Sequence, residues 1–193
     1  HAFRRLVDRA DFEIVFQPVL NSRSGQILCY EALARQPKRQ GAGSLAEMIA
    51  FAEAVGMITD FDQAMLTKAV DWLARHTPLR STLRLAINIS GQSVNSLSFL
   101  AHVERTLRQN PWLRGQLMFE ITHSARITDF AAANRFIQRM RRRGLQVSLD
   151  DLGNLAANFQ HLAMLDVDMV KIDAIAVRHA RNARRGRAFL QSL

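Results

Sequence analysis

Two adjacent carboxylates, Asp150 and Asp151, follow the alternating run Val147-Ser148-Leu149 and precede Leu152-Gly153. The alternation reads as a short buried strand. Adjacent strand residues point to opposite sides, so the two acids reach different places. Close anions repel unless cations share the site, and a divalent metal is the usual compensation. An acidic turn that caps a following helix would account for this pair alone. The same kind of residue recurs, however, on every predicted strand after the first: Glu31 and Arg35, then Asn88, then Glu120, and finally Lys171 and Asp173. Singly each has an ordinary explanation: Glu31 as a salt-bridge partner, Asn88 as a turn former, Glu120 as a helix cap, Lys171 with Asp173 as an ion pair. The recurrence has none. Carboxylate and amide oxygens are the ligand set of hard cations such as Mg2+ or Mn2+, and a lysine among them can hold a phosphate or orient a water.

Such a set needs strands whose C-terminal ends gather on one face, as in a barrel of parallel strands. The pattern supplies them. Ala2–Ala10 reads as a basic, mildly amphipathic lead-in helix from an upstream domain. Phe12–Val19 and Gln26–Ala34 read as strands joined by the turn Asn21-Ser22-Arg23-Ser24-Gly25, hence an antiparallel hairpin. Ser44 with Glu47 forms a capping box for a helix to about Val55, and Gly56 ends it. A longer helix runs from about Thr59 to Arg75, with Met65, Leu66, Ala69, Val70 and Leu73 at helical spacing. Strands at Leu83–Ile89, Gln116–Ile121, Leu145–Leu149 and Val167–Ile172 then alternate with helices at Val94–Gln109, Asp129–Arg143 and Leu155–Leu165. Ala174 opens a last helix. This alternation predicts parallel strands with helices outside.

Composition narrows the classes. The 193 residues suit one domain, and a hydrophobic fraction of 48% can build a core. No apolar run approaches the ~18 residues of a membrane span, and no signal peptide is visible. The single Cys29 excludes an internal disulfide and a cysteine-based zinc site. It favours a reducing, cytoplasmic compartment, with any membrane tether lying in a segment outside this stretch. The net charge of +9 includes five arginines beyond the last acid, Asp173. That excess suits an anionic ligand such as a nucleotide, but it reads better as a chain whose compensating acids lie further on. Arg141, Arg142 and Arg143 before Gly144 read as solvated cations at a negative helix end rather than as a nucleic-acid patch.

Six ordered motifs resemble those of the EAL domain family, bacterial phosphodiesterases and receptors for cyclic di-GMP. Glu31-Ala32-Leu33-Ala34-Arg35 resembles the signature that names the family. Phe16-Gln17-Pro18-Val19 resembles its first strand and Ile87-Asn88-Ile89-Ser90 its N-x-S strand. Phe119-Glu120-Ile121-Thr122 resembles its E-L-T-E strand, Asp150-Asp151-Leu152-Gly153 its D-D-F-G turn, and Val170-Lys171-Ile172-Asp173 its K-I-D strand. The resemblance implies an α/β fold, a modified TIM (β/α)8 barrel with an antiparallel first strand, over residues 11–193. Six strands are legible, so the last two strand-helix units are expected to be missing. It implies that Glu31, Asn88, Glu120 and Asp150 hold one Mg2+ or Mn2+, with Ca2+ inhibitory, and that Asp151 sits at a second metal. Lys171 would orient the attacking water and Arg35 would grip a phosphate. Gln17, Leu33 and Asp173 would complete the nucleotide site.

Three departures bear on turnover. His123 stands where the family has the second glutamate of E-L-T-E, which anchors the loop after strand five. An imidazole cannot accept the hydrogen bonds of a carboxylate. That loop reads Asp150-Asp151-Leu152-Gly153-Asn154-Leu155-Ala156-Ala157-Asn158-Phe159 where the family has D-D-F-G-T-G-Y-S-S-L. Leu155 replaces a glycine, so a left-handed turn there is penalised. In the family this loop positions the second metal and supports pairing of two domains. The stretch also ends before the strand-seven glutamate that the resemblance makes catalytic. The expectation is a degenerate domain that binds cyclic di-GMP and relays its level to a partner, with an upstream sensory or regulatory domain in the same protein and a second copy of the domain as further expected partners. The second expectation is an active metal-dependent phosphodiesterase giving the linear dinucleotide, and the third a protein-interaction barrel without ligand.

Overall fold

A computed structural model of the chain describes residues 2–35, 44–76, 83–122, 127–152 and 162–182. Among them, β1 (Glu13–Leu20), β2 (Ile27–Arg35), β3 (Leu85–Ser90), β4 (Leu117–Thr122), β5 (Gln146–Leu152) and β6 (Met169–Ile172) form one sheet in chain order. β1 and β2 are antiparallel, with Gln17 opposite Glu31, and every later pair is parallel. This is the expected modified (β/α) barrel with its reversed first strand, curled through six strands. The hairpin turn forms as read: Asn21 Oδ1 accepts the amides of Arg23 and Ser24 at 2.9 and 3.1 Å, and Gly25 takes φ +69°.

The helices are α1 (Ala2–Asp8), α2 (Leu45–Ala54), α3 (Ile58–His76), α4 (Gly91–Val94), α5 (Leu97–Gln109), α6 (Phe130–Arg142) and α7 (Ala174–Asn182). Strand alternation divides the sheet into two faces. Leu85, Ile87 and Ile89 of β3, Leu117, Phe119 and Ile121 of β4, and Val147 and Leu149 of β5 bury their side chains in the main core with α3, α5 and α6. Each fully buried aliphatic or aromatic side chain contributes roughly 1.5–3 kcal/mol. On the other face Cys29, Ala86 and Met118 make a small separate core. Each lies two residues before a polar one on its strand: Glu31, Asn88 and Glu120. Alternation thus floors the site with apolar side chains.

α1 joins this core. Phe3 and Leu6 are buried, and Phe3 meets Phe61 of α3 at 6.3 Å between centroids. The turn into β1 puts Ala10 at φ +45°. Lys68 of α3 steadies it by donating to the carbonyls of Ala10 and Phe12, with its ammonium 4.7 Å from the Phe12 ring centre.

Three readings are corrected. The predicted helix Val94–Gln109 is two helices, α4 and α5. Ser96 caps α5 by accepting the Phe99 amide, and Asn95 turns to the start of α6, donating to Asp129 O at 2.7 Å. Short polar side chains that bond nearby backbone favour caps over helix interiors. β5 does not stop before Asp150 but continues to Leu152, with an irregular register against β6 between Leu149 and Leu152. Arg141 is no free solvated cation: it pairs with Asp168 at 2.8 Å and Asp166 at 3.2 Å. The helix read at Leu155–Leu165 lies mostly outside the described residues. Among those described, no helix is long and apolar enough to cross a membrane.

Candidate metal and phosphate site

The parallel register brings the polar residues to one end of the sheet. Asn88 of β3 lies opposite Glu120 of β4, and Glu31 of β2 lies opposite Ala86 of β3, two residues before Asn88. Glu31 Oε1 accepts a hydrogen bond from Asn88 Nδ2 at 2.8 Å. Lys171 of β6 projects into the same space. Its ammonium donates to Glu31 Oε2 and Glu120 Oε2, both at 2.8 Å, and lies 3.8 Å from Asp150 Oδ1. Among the described residues, Glu31, Glu120 and Asp150 each offer a carboxylate oxygen within 4.8 Å of the others.

Electrostatics follow from burial. The Glu120 side chain is 2% exposed, against 13% for Glu31, 20% for Asp150 and 27% for Lys171. Burial raises the Glu120 carboxyl above its ordinary value, and the Lys171 hydrogen bond opposes that rise. At Lys171 burial disfavours the charge, but hydrogen bonds to Glu120 and Glu31 and the nearby Asp150 outweigh it. The ammonium is held above its usual range.

The donor set fits a hard divalent cation. Three carboxylates from β2, β4 and β5 converge, Asn88 of the intervening β3 donates its Nδ2 to Glu31, and Asn88 Oδ1 is buried with no hydrogen-bond partner. A buried amide oxygen without a partner is costly, and a cation beside it would relieve that cost. Glu31, Asn88, Glu120 and Asp150 are the residues that could hold one.

Leu33 lines a cavity of about 240 Å3 together with Asn88, Ser90 and Thr122. Gln17 is exposed opposite Glu31, and Arg35 is exposed at the end of β2. Asp173 caps α7, its Oδ1 accepting the Ile175 amide at 2.6 Å. The side chain of Asp151, as well as His123 and the loop through Leu155, lies outside the described residues. One residue escaped the sequence reading: Asp62, 4% exposed, on the core-facing side of α3. The signal was present, because Asp62 shares the helical face of Met65, Leu66 and Ala69. An acid at such a position needs partners.

Comparison with known proteins places this geometry. The EAL domain family description matches residues 1–193. The cyclic di-GMP phosphodiesterase PA2567 of Pseudomonas aeruginosa is 28% identical over 183 residues, covering 94% of this chain and 31% of that protein. Two solved structures share the fold. The Xanthomonas citri FimX EAL domain in complex with c-diGMP superposes with a TM-score of 0.79 at 22% identity, over 96% of this chain and 72% of that one. Vibrio cholerae LapD, S helix-GGDEF-EAL bound to c-di-GMP, superposes with a TM-score of 0.83 at 20% identity, over 99% of this chain and 46% of that one. The chain spans only 21% and 31% of the length of the first two curated relatives it matches.

Proposed function

The chain belongs to the EAL domain family, and from that premise we propose that it is a signalling domain that binds cyclic di-GMP and hydrolyses it slowly or not at all. The observation that carries the reading is the convergence of Glu31, Glu120 and Asp150 around the Lys171 ammonium, with Asn88 hydrogen-bonded to Glu31. In this reading Mg2+ or Mn2+ is held by those four residues and neutralises phosphodiester charge, while Ca2+ is held without supporting turnover. Asp151 serves a second ion. Lys171 holds Glu31 and Glu120 in place and orients a water toward the phosphate. Arg35 reaches a phosphate with a charge-assisted, forked contact. Gln17, Leu33 and Asp173 face the nucleotide. Residues 1–10 lead in from an upstream sensory or regulatory domain, residues 11–193 form the barrel, and a second copy of the domain is a further partner.

A phosphodiesterase is the second reading, favoured by the carboxylate cluster itself. Phosphodiesterases of the family are generally divalent-metal dependent. His123 and Leu155 weigh against brisk turnover here. The test of the site is calorimetric. Arg35→Ala should weaken cyclic di-GMP binding by about 1.5–3 kcal/mol, tenfold or more, and Arg35→Lys should recover only part because lysine cannot fork. An Arg35→Ala protein that binds as tightly as the parent would remove Arg35 from the site.

A further inference from the structure

We infer that Asp62 is a positioning residue for Asn88, gripping the corner where β3 passes into α4 and so setting how Asn88 meets Glu31. The inference rests on the reading that Asn88 and Glu31 serve a cation site. One carboxylate oxygen, Asp62 Oδ2, accepts two hydrogen bonds: from the Ser90 amide at 2.8 Å and from the Ser93 hydroxyl at 2.6 Å. Ser90 is 3% exposed and Ser93 0%, so the grip is fully inside the protein. Ser90 stands two residues beyond Asn88 on the same strand face, and Asp62, Asn88 and Ser90 line one cavity of about 240 Å3.

The corner is held from several sides. Ser90 Oγ caps α4 by accepting the Gln92 amide, and Gln92 Nε2 donates to Glu53 O at 2.8 Å. Ser93 Oγ also lies 3.3 Å from Thr59 Oγ1. Among the described residues, Asp62 alone ties the Ser90 backbone to α3 through a side-chain hydrogen bond. A buried carboxylate is an expensive way to hold a corner that apolar packing could fill. Its oxygen does what packing cannot: it fixes the height of the strand end along the sheet, and with it the Asn88 amide that donates to Glu31 at 2.8 Å. Groups that orient cation ligands in this manner commonly change affinity by roughly 10–100-fold when removed.

The experiment measures Mn2+ binding to the full-length protein by calorimetry for the parent, Asp62→Asn and Asp62→Ala. Asparagine keeps an acceptor oxygen in the same place, and alanine does not. Met140→Ala, a core truncation beside the opposite end of β5, controls for general loosening. Asp62→Asn should bind within about twofold of the parent, and Asp62→Ala should lose about tenfold or more. Met140→Ala should bind like the parent. Equal affinity of Asp62→Ala and the parent, or an equal loss in Met140→Ala, would overturn the assignment. A parent that binds no Mn2+ would sink the cation reading, and the positioning claim would then be decided by the Asn88 side-chain amide in NMR spectra. A resonance displaced in Asp62→Ala but not in Asp62→Asn would support it, and one unmoved in both would overturn it.

Discussion

At the scale of the residue, two buried carboxyl groups do different work. Glu120 is nearly inaccessible yet hydrogen-bonded to Lys171, and its cluster of acids is relieved by cations. Divalent ions that bind only the native state should raise the melting temperature. Mg2+, Mn2+ or Ca2+ at millimolar levels should do so in the parent, and Glu120→Gln should shrink the shift. A parent melting curve indifferent to all three ions would count against the donor set. Asp62 is the opposite case. Burial pushes its carboxyl up to about 7 from an ordinary 3.8, with Ser93 and Ser90 opposing the rise and Glu53 adding to it. A raised folded value means that the native state binds the proton more tightly. The stability tied to that proton is fully present below about 3.8 and is lost as pH climbs through about 7. Asp62→Asn cannot ionise. Its stability relative to the parent should therefore increase as pH rises from about 3.8 to about 7 and level off above that, as urea midpoints at each pH would show. A pH-independent gap between the two proteins would contradict this. Glu31, Asn88, Glu120, Asp150 and Lys171 were legible because each is a polar residue on an otherwise apolar strand, and one recurs on every strand from β2 to β6. Asp62 was not, because the apolar periodicity of its helix drew attention to its neighbours.

At the scale of the element, patterning sufficed wherever apolar spacing and a strong cap agreed. The Ser44–Glu47 capping box forms both of its reciprocal bonds, and the Thr59–Arg75 reading differs from α3 only at its ends. It failed where polar side chains decide the matter across distance. Asn95 breaks a helix by bonding residues of the next helical segment, a partner more than thirty positions away that no local window contains. Arg141 is the second instance. It links α6 to the segment entering β6 through Asp166 and Asp168, and Asp168 Oδ2 in turn accepts the Val147 amide at 2.8 Å. Arg141→Ala should lower stability by about 1 kcal/mol, whereas Arg142→Ala should stay within about 0.5 kcal/mol. Urea unfolding of both variants would decide, and equal effects would mean that the Arg141 pairs contribute nothing beyond a surface charge.

At the scale of the whole molecule, the barrel direction follows from the alternation of strands and helices, and the reversed first strand follows from the Asn21–Gly25 turn. Strands β2 to β6 gather Glu31, Asn88, Glu120, Asp150 and Lys171 over the apolar floor of Cys29, Ala86 and Met118, and that gathering is what the proposed ligand binding needs. In the proposed reading turnover makes a further demand, on the loop after Asp151, where Leu155 stands in place of the glycine that the resemblance leads one to expect, and His123 after β4 stands in place of the glutamate expected to anchor that loop. Binding should therefore survive where hydrolysis does not. The most direct measurement titrates the full-length protein with cyclic di-GMP in Ca2+ by calorimetry, then replaces Ca2+ with Mn2+ and follows the linear dinucleotide in the same sample. The expected result is saturable binding, with product forming at least roughly a hundredfold slower than in a relative that keeps the glutamate and the glycine, about 2.7 kcal/mol of barrier stabilisation. Rapid product formation in Mn2+, abolished by Glu31→Ala, would contradict the receptor reading and establish a working phosphodiesterase.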